Sequence, residues 1–141
     1  MEGNDIEDLG GGQFRTTDAV KRYSRLDQYA MGLIPPSLVP TFFYVENPSV
    51  RERGSAPAIG VSFTGTRRDV LINDVIAIHG PRVPSSTDSA KTHRQAFIYV
   101  VSAGRTAEAG LITKLDRIRQ QWETFFSQAT EGRMTANTRL R

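Results

Sequence analysis

The chain has 141 residues, 38% of them apolar and 23% charged, with a formal net charge of +3 and no cysteine. That length suits one domain, and a globule of this size buries roughly 68–70% of its unfolded surface. The composition excludes disulfides, thiolate nucleophiles and cysteine-type zinc sites, and no apolar run approaches the roughly 20 residues of a membrane span.

Residues 1–13 are polar, begin acidic with no hydrophobic leader core, and end in Gly10-Gly11-Gly12, so they read as a flexible segment. Phe14 to Val20 suits an edge strand or an extended approach to the first helix. A short helix follows over about residues 25–33. Ser24 and Asp27 have capping-box spacing, and Leu26, Tyr29, Ala30 and Leu33 fall on one face. Pro35 and Pro36 end it, because Ile34 before a proline is pushed out of the helical region. A proline-punctuated connector leads to the strand Thr41–Val45, turned by Asn47-Pro48.

Residues 49–57 read as an exposed loop, and Ile59, Val61 and Phe63 alternate as in a half-buried strand. Thr64-Gly65-Thr66 turns the chain into Asp69–Ile72. Asn73 is a good cap for a short helix whose apolar side is Val75, Ile76 and Ile78, and Gly80-Pro81 stops it. The Ser/Thr/Pro-rich stretch 82–92 reads as a mobile surface loop, and Ala96–Val101 as a strand covered on both faces. The last element is an amphipathic helix from Thr106 to Ala129, about 36 Å long at ~1.5 Å per residue. Its stripe is Leu111, Leu115, Ile118, Trp122, Phe125 and Ala129. Phe125 and Phe126 are adjacent, so one of them leaves the stripe and offers an apolar spot to a packing partner. Residues 131–141 read as a frayed tail. The predicted architecture is α+β: a small mixed or antiparallel sheet of three to five strands, a short proximal helix and a long C-terminal amphipathic helix across the sheet. A single domain is predicted over residues 14–130.

Few side chains offer chemistry. Asp27 pairs with Ser24 as a helix cap, or serves as a metal ligand. Met31 fills irregular core space, or forms a floor beneath a metal. His79 and His93 are fourteen apart in sequence, not the four-residue spacing of a zinc-binding helix. Ser24, Ser62 and Ser102 lack a nucleophile-elbow setting, and the glycine triplet lacks the Lys-Ser/Thr ending of a phosphate loop. Arg82, on the turn Gly80-Pro81-Arg82-Val83-Pro84, either is solvated or presents its fork to a carboxylate of a substrate or partner. The arginines are spread along the chain and the aromatics sit in apolar patterns, so no nucleic-acid partner is expected.

Five segments together carry a resemblance. They are Ser24-x-Leu26-Asp27-x-Tyr29-x-Met31-Gly32-Leu33-Ile34-Pro35-Pro36, Val39-Pro40-x-Phe42-Phe43, Ile76-Ala77-x-His79-Gly80-Pro81-Arg82-Val83-Pro84, Arg94-x-Ala96-Phe97, and Leu115-Asp116-x-Ile118-Arg119-x-x-Trp122. They span most of residues 1–130 and resemble the zinc-metallopeptidase-like (zincin-type) domain of large bacterial secreted proteins. In that family a helix bearing His-Glu-x-x-His lies upstream, and nothing in this sequence matches it. The resemblance implies the C-terminal half of such a domain, with Asp27 as the metal candidate and Met31 and Tyr29 supporting the site. It implies zinc in the full-length relatives, no cofactor in this chain alone, and no peptidase activity on its own. Met1-Glu2-Gly3-Asn4 itself resembles the middle of a family segment, which places the match inside a larger domain, extracellular where the whole protein is secreted. The expected partner is an upstream catalytic half or a peptide or protein substrate. The competing expectation is a non-catalytic module that binds a protein or carbohydrate.

Overall fold

The computed structural model describes residues 3–50 and 58–139. Residues 51–57, most of the loop predicted at 49–57, lie outside them. The chain has the α+β content predicted, with small sheets, a short proximal helix and a long C-terminal helix. The chain divides into two compact units, Met1–Thr87 and Asp88–Arg141.

The first unit opens with a hairpin. Strand β1 (Asn4–Gly10) pairs antiparallel with β2 (Gln13–Ala19). The segment expected to be flexible is therefore one arm of a ladder. Its glycines do not loosen the chain; Gly10, Gly11 and Gly12 all have positive φ, which lets it reverse tightly between two strands. β2 is not an edge strand either, because its other side pairs with β4 (Ser62–Thr64). Thr16 secures the approach to β4. Its hydroxyl donates to the Ala58 carbonyl (2.7 Å) and accepts from the Val61 amide (3.0 Å). The strand signal at Ile59 and Val61 thus becomes a stitched approach, and only Ser62–Thr64 joins the ladder.

A second antiparallel pair joins β3 (Phe42–Glu46) to β5 (Thr66–Val70). Phe14, 1% exposed, lies against the rings of Phe63 (5.6 Å between centroids) and Phe43 (6.2 Å). Arg67 covers the outer face of Phe43 at 4.3 Å from the ring centre and reaches Asp8 (2.9 Å) and Asp69 (2.8 Å). The Arg67 hydrogen bond first, and the bond from the Gly10 amide (2.8 Å) second, hold the Asp8 carboxyl below its usual range. Between β4 and β5, Gly65 donates to the Gly12 carbonyl (3.0 Å), and a Cβ at this position would overlap Val45.

Helix α1 covers Arg25–Ala30, shorter than the sequence predicts. Glycine ends it before either proline is reached. Gly32 adopts φ 73° and donates to the Tyr29 carbonyl (2.8 Å), and Leu33 donates to the Gln28 carbonyl (2.8 Å). These two bonds are the Schellman arrangement, which satisfies the last carbonyls and turns the chain sharply. The turn sends Leu33 and Ile34 into the core, where both are buried. Helix α2 covers Ile72–His79 and stops at Gly80 as expected, though it starts before Asn73; the Asp74 carboxylate accepts from the Leu71 amide (2.9 Å).

In the second unit, β6 (Thr92–Arg94) and β7 (Thr135–Asn137) form a parallel pair bridged by helix α3 (Ala109–Ala129). The predicted tail therefore holds a strand, with Met134, Ala136 and Thr138 buried. The buried hydroxyl of Thr130, at the end of α3, lies within bonding distance of the carbonyls of Phe126 (3.0 Å) and Met134 (3.2 Å). The strand predicted at Ala96–Val101 does not form. Ile98 and Val100 are 77% and 82% exposed, because the ladder beside β6 ends where Gln95 donates to the Asn137 carbonyl (3.0 Å).

Candidate functional site

The two segments that the sequence singles out, α1 with its turn and the stretch Gly80–Pro84, meet in the first unit. Ser24 and Asp27 form the capping box at the start of α1. The Ser24 hydroxyl accepts from the Asp27 amide (3.1 Å), while one Asp27 oxygen takes both the Ser24 amide (3.0 Å) and the Ser24 hydroxyl (2.6 Å). This carboxylate closes the first turn and complements the positive end of the helix. Met31 is the C-cap residue, half-buried, with its amide on the Asp27 carbonyl (2.8 Å).

Arg82 fastens the other end. Its amide donates to the Tyr29 hydroxyl (2.9 Å), its Nε to the Ala30 carbonyl (2.8 Å) and its Nη1 to the Pro84 carbonyl (3.0 Å). A guanidinium on the last carbonyl of α1 lies at the negative end of the helix, where cations are favoured. The fork offered by the sequence to a partner's carboxylate is thus turned onto two main-chain oxygens. The loop 82–92 carries further bonds, including Ser85 to Thr87 between hydroxyls (2.6 Å), and Ser89 is buried. Tyr29 joins the two segments, with its ring buried and its hydroxyl accepting from the Arg82 amide.

Among the described residues, no three side chains of His, Asp and Glu come together as a metal group. Asp27 is therefore not part of such a group among the described residues. His79 and His93 are both exposed, on α2 and β6.

Two features escaped the sequence reading. Gln28, fully buried, donates from Nε2 to the Tyr23 carbonyl (3.1 Å), where the periodicity had placed Ala30 on the inner face. In the second unit, one Glu123 oxygen accepts from both the amide (2.7 Å) and the hydroxyl (2.9 Å) of Thr138, and these bonds hold the Glu123 carboxyl below its usual range. A Glu fifteen residues from its partner leaves no local signal.

Among the described residues, no helix is long and apolar enough to cross a membrane. No protein-family model matches this chain, and no curated protein or solved structure matches it.

Proposed function

We propose that this chain is the scaffold portion of a zinc-metallopeptidase-like domain, without peptide hydrolysis of its own, and that a separate catalytic portion brings the zinc and the general base. The clasp between Arg82 and α1 is the observation that supports this reading. Two segments that carry the resemblance are far apart in sequence, yet two hydrogen bonds from Arg82 hold them together. A catalytic constellation needs such rigid support, since a loosely held site loses its geometry. Metal-assisted hydrolysis needs a polarised water and a carboxylate base. Asp27, engaged with Ser24, is a support for α1 in this reading and supplies neither.

The reading is tested on the purified chain by metal analysis and by peptide cleavage with and without a chelator. Zinc well below one ion per chain and no chelator-sensitive cleavage are expected. Stoichiometric, tightly held zinc with chelator-sensitive cleavage overturns the proposal. The coding DNA upstream of Met1 or in a neighbouring frame is expected to encode His-Glu-x-x-His, and its absence from both overturns the proposal as well.

A further inference from the structure

Helix α3 carries an apolar stripe that its own unit only partly covers. Leu111, Leu115, Ile118, Trp122, Phe125 and Ala129 keep alternating four- and three-residue steps without a break. A stripe this narrow and regular is the seam along which one helix packs on another. Yet the buried residues of α3 are Phe126 and Ala129, at its C-terminal end. Leu111, Ile118 and Phe125 are 42%, 42% and 46% exposed. Of the adjacent phenylalanines, the one off the stripe is buried and the one on it faces outward. A helix of this length draws most of its stability from tertiary packing of its apolar face, so the open seam is a surface suited to a partner.

The charges beside the seam say which partner. Lys114 and Arg119 occupy its two borders, with Arg117 just outside. The carboxylates of α3 are engaged within the unit. Asp116 takes Arg119 (2.9 Å) and Gln120 (2.7 Å), and Glu123 takes Thr138. Lys114 and Arg117 have no ion pair among the described residues. A second copy is disfavoured in either direction. Parallel pairing in register sets Lys114 opposite Arg119 of the partner, and antiparallel pairing sets Arg119 against its own counterpart. Like charges facing each other across a helix pair repel and weaken that pairing, although each Arg119 keeps its own Asp116 (2.9 Å).

We infer that the seam of α3 docks an amphipathic helix of another protein, apolar along its inner face and acidic on both borders. This surface is independent of the peptidase-scaffold reading, and each stands or falls alone.

The chain's single tryptophan, Trp122, lies on the seam and reports binding by its emission. The probe is a designed helical peptide with leucine along its seam and glutamate on both borders, and its control carries lysine there instead. The glutamate peptide is expected to shift Trp122 emission saturably, with affinity about tenfold above the lysine peptide and falling with added salt. Ile118→Glu, on an exposed position checked for retained helicity by circular dichroism, is expected to weaken binding about tenfold or more. Lys114→Glu is expected to narrow the preference for glutamate over lysine. Equal binding of the two peptides, or binding of neither, overturns the inference. So does adsorption to phosphatidylserine vesicles in place of peptide binding, or self-association in sedimentation that Ile118→Glu abolishes.

Discussion

Tyr29 does two jobs with one side chain: its ring fills the core beside α1 and its hydroxyl accepts the Arg82 amide (2.9 Å). The second job binds residues 53 positions apart in sequence, so no local pattern announces it. The Ser24–Asp27 pair was legible because a capping box is a local device, complete within three residues. The cap is the stronger reading of Asp27 in sequence, and the ligand reading stands beside it because a carboxylate at the third helical position is chemically the same group in both roles. Tyr29→Phe keeps the ring and removes the acceptor, leaving the Arg82 amide without its partner at a half-buried position. Stability is expected to fall by about 1–2 kcal/mol. Urea denaturation of both proteins measures this, and an unchanged midpoint would mean that water replaces the hydroxyl at no cost.

At the scale of elements, endings were harder to read than middles. The prolines after α1 are real barriers, but Gly32 acts first because a residue at positive φ lets the Schellman bonds close two residues earlier. The β7 segment was unreadable for a different reason. Its three residues carry almost no periodicity, and its place in a ladder depends on β6, more than forty residues away. Glu123 helps to hold it there through the Thr138 amide and hydroxyl. Those bonds favour the charged carboxylate, so its folded pKa lies below the unfolded one. The contribution to stability is present above the ordinary glutamate range and is lost as pH falls through the lowered folded value. Protection of the Thr138 amide in hydrogen exchange, taken relative to its intrinsic exchange rate, is therefore expected to fall as the solution is taken from neutral pH into the carboxylate range. Asp8 titrates with the same sign in the other unit, so the comparison is with Glu123→Gln, whose Thr138 protection should show little dependence on pH. Equal pH dependence in both proteins would assign the effect to another group.

At the scale of the molecule, several large apolar side chains of the second unit are exposed. Ile98, Val100, Leu111, Ile112, Ile118 and Phe125 all lie in the second unit and are all exposed. Exposed apolar side chains that adjoin one another mark interaction sites. The native chain is expected to bind anilinonaphthalene sulfonate at neutral pH, and the double substitution Ile98→Ser with Val100→Ser should reduce the signal by about half if this stretch contributes in proportion to its area. Unchanged dye binding in the double variant would locate the apolar surface elsewhere.

What the amino-acid order determined by itself was the α+β class, the presence of α1, α2 and α3, the core of β2 and β3, and the Ser24–Asp27 cap. Each rests on interactions that close within one or two turns or along one strand, where periodicity and caps act directly. Tertiary structure alone decided the β1–β2–β4 ladder, the β6–β7 pairing, the division into two units and the attachment of Arg82 to α1. A strand's partner and a side chain's distant acceptor are chosen by which ladder and which pocket the folded chain brings near, and at forty or fifty residues' separation no local preference encodes that choice. The same reason explains Ala96–Val101: its residues favour a strand, but strand propensity needs a neighbour to pair with, and within its unit the ladder stops one residue short.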